Sequence, residues 1–138
     1  MLDDVIAAKA AIVERCVARV REEYAAAKDF RTELTHQDAA LLNLQRACEA
    51  SIDLAQRVVR LRGLGLPQTS RENFTLLADA KLIDAALADR LGRMTGFRNI
   101  AIHDYRSLDL NLVEEVIVHK LDDLLDFSKQ MLKIPGVV

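Results

Sequence analysis

Tryptophan is absent, aromatic residues make up only 4% of the 138 positions, and five Gly and two Pro are spread thinly along the chain. A β-sandwich or barrel draws on aromatic and β-branched core residues and on frequent turn residues, so this composition disfavours one. Two cysteines, Cys16 and Cys48, lie in helix-like stretches with no CxxC spacing and no clustered His, which suggests neither a disulfide framework nor a zinc site. Buried free thiols in a reducing cytoplasm are the expectation. Long apolar runs are missing too: the longest stretch without a charged residue is Gly63 to Ser70. A bilayer span needs roughly 18 to 20 apolar residues, so a soluble protein is expected. The start, Met1-Leu2-Asp3-Asp4, is acidic where an export signal is basic. Nor does one sign of charge dominate, since the net charge is −2, and that argues against a protein that coats nucleic acid by bulk charge alone.

What is present is helix-forming. Apolar residues reach 51% and charged residues 29%, a balance that folds and that favours an all-α architecture. Locally the charge is uneven, because Arg46 to Arg106 holds ten Lys/Arg against seven Asp/Glu, leaving the middle mildly basic. Gly, Pro and polar clusters divide the chain into five helical segments within one domain spanning 1–138.

The first segment runs from about Asp3 to Ala27, with Ile6, Ile12, Val13, Val17 and Val20 spaced along one face. Thr35 followed by Asp38 reads as a capping box opening a second helix to about Leu61, stopped by Gly63-Leu64-Gly65-Leu66-Pro67. Ser70 is expected to cap a third helix to about Asp79, and Asp84 a fourth that turns Leu87, Leu91, Met94 and Phe97 inward. Asp109 caps a fifth, running to about Lys133 on a stripe of Ile117, Leu121, Leu124 and Leu125, with Pro135-Gly136 closing it. The connections are short, so an up-and-down antiparallel bundle follows.

The segment Phe97-Arg98-Asn99-Ile100-Ala101-Ile102-His103-Asp104-Tyr105 gathers polar and ionisable side chains at the end of an apolar helix. Near a phosphate, an imidazole moves the proton of a 2′-hydroxyl or of the leaving oxygen, while a guanidinium steadies the charge of the phosphorane; no metal is required. On a regular helix, at roughly 100° per residue, Arg98 and His103 point about 140° apart. Either the helix bends or a second copy supplies one of them. Gly92 and Gly96 serve both possibilities, because glycine weakens a helix interior and admits a close neighbour. Taken alone, an Arg-x4-His spacing also fits a structural histidine beside an ion-paired arginine.

Arg98-Asn99-Ile100-Ala101-Ile102-His103-Asp104-Tyr105 resembles the Arg-polar-x3-His signature of HEPN domains, in the Arg-x4-His-x-Tyr form of the HepT toxin family. Asn43 to Asp53 and Ser70-Arg71-Glu72-Asn73-Phe74 also read like that family. The resemblance implies a HEPN-like bundle that pairs as a homodimer, with Arg98 and His103 as a composite catalytic site and Asn99 in an orienting role. It implies a cytoplasmic ribonuclease toxin of a type VII toxin-antitoxin pair, acting on tRNA or mRNA without a cofactor. A minimal nucleotidyltransferase antitoxin, MntA, would be its partner, and Tyr105 matches the tyrosine that MntA modifies with AMP. An AMP group there would place bulk and negative charge beside Arg98.

Asp104 carries no role that the resemblance transfers. Arg46, Glu49 and Asp53 share a helix face at spacings of three and four, which reads first as an intrahelical ion-pair ladder; the alternative is that Glu49 or Asp53 anchors Arg98 or supports the dimer. His36 and His119 read as surface or capping residues. The rival function is a non-catalytic helical subunit that presents substrate to a nucleotidyltransferase.

Overall fold

The computed structural model describes residues 3–99 and 109–134, and all the described regular structure is helical. Asp3 caps α1 (Asp4–Ala26), its Oδ1 accepting from the amides of Val5 and Ile6 at 2.9 and 3.1 Å. The 29-residue α2 (Leu34–Arg62) returns alongside it. Side chains fix the antiparallel sense: Arg57 grips Asp3 through Nε and Nη2, Lys9 meets Asp53 at 3.0 Å, and His36 meets Glu23 at 2.6 Å. Start therefore faces end, and end faces start. Buried Gln37 pins the link between the two helices by donating its amide to the carbonyls of Phe30 and Arg31, each at 2.8 Å.

The stop after α2 is as the sequence indicates. Gly63 is left-handed at φ +62°, its amide donates to the Arg60 carbonyl, and the Leu64 amide reaches back to that of Val59. This paired closure favours a residue without a Cβ. Two starts differ from expectation. The turn at Asp29 runs straight into α2, so the helix begins at Leu34 with Glu33 at its cap and no side-chain bond there; Thr35 is already inside, and the Thr35/Asp38 capping box is not formed. At α3 (Ser70–Asp79) the cap is Thr69, which accepts from the Glu72 amide at 3.2 Å, while Glu72 accepts from the Gln68 amide at 2.6 Å. Ser70 thus sits one position inside the helix, and its hydroxyl has no capping duty.

Asp84 caps α4 (Ala85–Met94) as expected, accepting from Leu87 at 2.7 Å. Beyond Met94 the backbone tightens into a 3-10 turn, Thr95–Asn99, with Thr95 Oγ1 donating to the Gly92 carbonyl at 2.7 Å. Leu87, Leu91 and Met94 are buried, while Phe97 packs against the core from the turn and is half-buried. Asp109 caps the next helix as expected. That helix is two, α5 (Leu110–His119) and α6 (Leu121–Leu132), rather than one running to Lys133. The break at Lys120 (φ −116°, ψ −10°) follows the β-branched run Val116-Ile117-Val118, whose stiff side chains weaken the helix. Among the described residues there are thus six α-helices where five were expected. Pro135-Gly136 lies outside the described residues.

The core is one continuous cluster. Val13, Val17 and Val20 of α1, Leu41, Leu44 and Leu54 of α2, Leu87 of α4 and Leu121 and Leu124 of α6 are all nearly inaccessible. Phe74 and Phe127 meet edge to face at 5.3 Å and join α3 to α6. Helix α6 runs antiparallel to α1, with Arg21 meeting Asp122 and the Ser128 hydroxyl donating to the Ala10 carbonyl. No helix among the described residues is long and apolar enough to cross a membrane.

Candidate functional site

Arg98 leaves the bundle on the 3-10 turn, and three side chains from two stretches of chain, α2 and α3, hold it. Gln45, from the middle of α2, donates its side-chain amide to the Arg98 carbonyl at 2.8 Å, fixing the backbone of the turn. One helical turn further along α2, the Glu49 carboxylate lies 3.6 Å from Arg98 Nε. From α3, Ser70 Oγ accepts a hydrogen bond from Arg98 Nη1 at 2.6 Å. The guanidinium is therefore set between a carboxylate and a hydroxyl on two different helices. Its side chain is still 34% exposed, open to an anion from solvent.

This arrangement decides between the two readings of the acidic face on α2. Glu49 pairs with Arg98 and Asp53 with Lys9 of α1, so the carboxylates are used between elements and the Arg46–Glu49–Asp53 ladder is not what forms. The Glu49 pair is half-exposed at 49% on its acidic side, where ion pairs contribute little to stability. Its consequence is placement. Arg57, closer to the end of α2, is committed elsewhere, since its bonds to Asp3 hold that carboxyl below the usual range despite the opposing effect of burial.

Behind the turn the structure is apolar. Cys48, Phe74, Leu91 and Met94 close around a small cavity under Thr95, and burial pushes the Cys48 thiol up to about 12. Cys16 is buried as well, and its thiol is raised by the same desolvation. Both behave as packing residues. Gly92 is buried against the Arg71 stem, only 2.8 Å from where a Cβ would stand, so α3 and α4 approach each other across this glycine. Gly96 faces open space on the turn.

Asn99 closes the 3-10 turn and is exposed. His103, Asp104 and Tyr105 lie outside the described residues. Because Arg98 stands on a 3-10 turn, the 100°-per-residue projection from Arg98 to His103 does not hold at its starting point. His36 is not a capping residue: it is half-buried between α1 and α2, bonded to Glu23, which holds that carboxyl below its ordinary range together with Arg19. His119 is exposed near Glu115. The larger grooves, about 550 Å³ between α1 and α6 and about 500 Å³ at the end of α2, are lined by other residues than Arg98.

Ser70, read from sequence only as a helix cap, and Gln45, which was given no role, are the functional-site residues that sequence reasoning missed. Both lie in the stretches whose wording resembles the HepT family, and the fold brings those two stretches onto the third, at Arg98. Across residues 13–131 the sequence matches the family described as Ribonuclease HepT-like. The chain belongs to the HepT-like ribonuclease family.

Relatives within that family agree along nearly the whole length. The mRNA nuclease HepT of Shewanella oneidensis is 45% identical over 126 residues, covering 91% of this chain and 95% of the relative. A crystal structure of a toxin-antitoxin with AMP-PNP superposes with a TM-score of 0.87 at 43% identity, over 94% of this chain and 98% of that one. A structure of the tri-AMPylated Shewanella oneidensis HEPN toxin in complex with MNT antitoxin gives 0.86 at 44% identity, with the same coverage. The bundle is thus a HepT-like HEPN fold.

Proposed function

We propose that this HepT-like chain is an endoribonuclease toxin, neutralised by a nucleotidyltransferase antitoxin of the MNT type, and that Arg98 and His103 carry its chemistry. The observation that carries the reading is the setting of Arg98: side chains from α2 and α3 converge on it, Gln45 holding its carbonyl and Glu49 and Ser70 flanking its half-exposed guanidinium on a short turn. A cation held this way suits the charge that builds on a phosphorane in the transition state. His103 transfers the proton of the 2′-hydroxyl or of the leaving oxygen, and Asn99 orients the imidazole or donates to phosphate.

The active form is a homodimer, with RNA, either tRNA or mRNA, crossing the cleft between two signature segments. Support comes from the placement of Arg98 on an open surface, which a second copy is suited to complete. Its RNA substrate puts the reaction in the cytoplasm, and the single domain spans 1–138. Tyr105 is the site of AMPylation. The added phosphate competes for the Arg98 guanidinium, and the adenosine excludes the RNA backbone. The convergence on Arg98 favours catalysis over a non-catalytic subunit presenting substrate, which has no use for an oriented arginine.

The test uses purified chain and an end-labelled mRNA transcript. Arg98→Ala and His103→Ala abolish cleavage while retaining the helical spectrum and the melting temperature within a few degrees. Cleavage proceeds equally with EDTA present, as the acid-base chemistry needs no metal. Wild-type cleavage by folded His103→Ala removes the imidazole from the mechanism, and cleavage lost on chelation replaces it with a metal-assisted one.

A further inference from the structure

We infer that Ser70 is a positioning residue of the ribonuclease site, its hydroxyl setting the direction in which Arg98 presents its guanidinium. The inference rests on the reading of Arg98 given above. Its structural basis is independent of the signature segment and lies in how α3 begins.

Thr69, not Ser70, performs the capping of α3, and Glu72 completes that cap by accepting from Gln68. A serine at the first helical position usually turns its hydroxyl to water or to its own backbone. Here it receives Arg98 Nη1 at 2.6 Å. Below it, Asn73 is 1% exposed and donates its amide to the Ser70 carbonyl at 3.2 Å, so the backbone that carries the hydroxyl is held from beneath. Phe74, one position on, is locked in the core against Phe127. The hydroxyl therefore stands on a rigid element, while Arg98 stands on a short turn.

Glu49 and Ser70 do different things to the same side chain. The carboxylate attracts Nε at 3.6 Å, beyond hydrogen-bond length, and constrains direction weakly. The hydroxyl bonds one terminal nitrogen at close range, and a planar guanidinium tied at Nη1 loses most of its freedom about its final torsions. Holding it there before the substrate arrives means that no reorientation is needed as charge develops on the phosphate. Such a residue acts on the chemical step more than on binding, because a swinging arginine still attracts RNA.

Single-turnover cleavage of an end-labelled mRNA transcript by the full chain decides it, with Ser70→Ala, Ser70→Thr and Arg98→Ala compared. Expected are a fall of about tenfold in the cleavage rate at saturation for Ser70→Ala, with half-saturation changed less than about twofold. Ser70→Thr, which retains the hydroxyl, restores the rate, and neither variant changes the melting temperature. A wild-type rate for Ser70→Ala beside an inactive Arg98→Ala overturns the positioning role and leaves the Arg98 reading intact. Full activity of Arg98→Ala overturns both. A rate lost together with melting temperature, and not restored by threonine, assigns Ser70 to stability alone and also overturns the inference.

Discussion

Replacing Gln45 with methionine isolates the hydrogen bond that ties the Arg98 turn to α2. Methionine has nearly the same length and helix propensity, so α2 is preserved while the amide donor to the Arg98 carbonyl is removed. Gln45 and that carbonyl are only part-buried, so water replaces the donor and the loss is the net worth of one neutral bond, about 1 kcal/mol. Unfolding entropy runs at about 2.1 cal/mol/K per residue, so over 138 residues 1 kcal/mol lowers the melting temperature by roughly 3 to 4 °C. Locally the same energy raises the population of the released turn by about fivefold. Hydrogen exchange read by mass spectrometry should therefore quicken about fivefold in the peptide carrying residues 95–99 and remain unchanged in the middle of α1. Unchanged exchange there, with an unchanged melting temperature, refutes the claim that α2 holds the turn in place.

Tyr105→Phe keeps the ring and removes the oxygen proposed to accept AMP, so co-expression with a nucleotidyltransferase antitoxin should leave the chain unmodified by intact mass and still toxic; normal neutralisation would assign inhibition to masking alone. Glu23 is held below the ordinary carboxyl range by His36 and then Arg19, so its contribution is present above the ordinary glutamate value and is lost as pH falls through the lowered one. Glu23→Gln should flatten the acid side of a plot of melting temperature against pH, and a parallel curve would exclude this pair. Cys16 and Cys48 are buried with raised thiols; a neutral-pH thiol reagent should label neither in the native chain and both in denaturant, and rapid native labelling of Cys48 would contradict the packing at the floor of the site.

Helix faces were legible because burial follows a period that the sequence displays: Ile6, Val13, Val17 and Val20 are apolar at helical spacing and all buried. Stops were legible where one residue type suits the geometry, as with Gly63. Starts were less so. Thr69 and Ser70 are both good caps, and which one serves depends on where Glu72 folds back, a choice between neighbours that periodicity does not register. The break at Lys120 left no mark in the apolar stripe, which continues from Ile117 to Leu121 across it. At the site, Arg98 stood out by chemistry and by its resemblance to a known signature. Ser70 did not, because its role depends on a contact 28 positions away that no local pattern encodes. Glu49 presented the opposite difficulty: its local spacing suggested partners on its own helix, and the tertiary one prevailed.

The anchors of Arg98 have an order in time as well as in space. Gln45, Glu49 and Ser70 all precede Arg98 in the chain, and the long α1–α2 hairpin that carries two of them is complete by residue 62. During synthesis the N-terminal part of the chain emerges first. The residues that receive the guanidinium thus leave the ribosome before the arginine does, whereas α6, which packs Phe127 against Phe74, follows it. A truncated product that ends before α6 would carry the reactive segment without the packing that makes its scaffold rigid. On the proposed mechanism, a chain ending before α6 should therefore cleave RNA poorly even though it carries Arg98, since the far packing of α3 comes from the last helix.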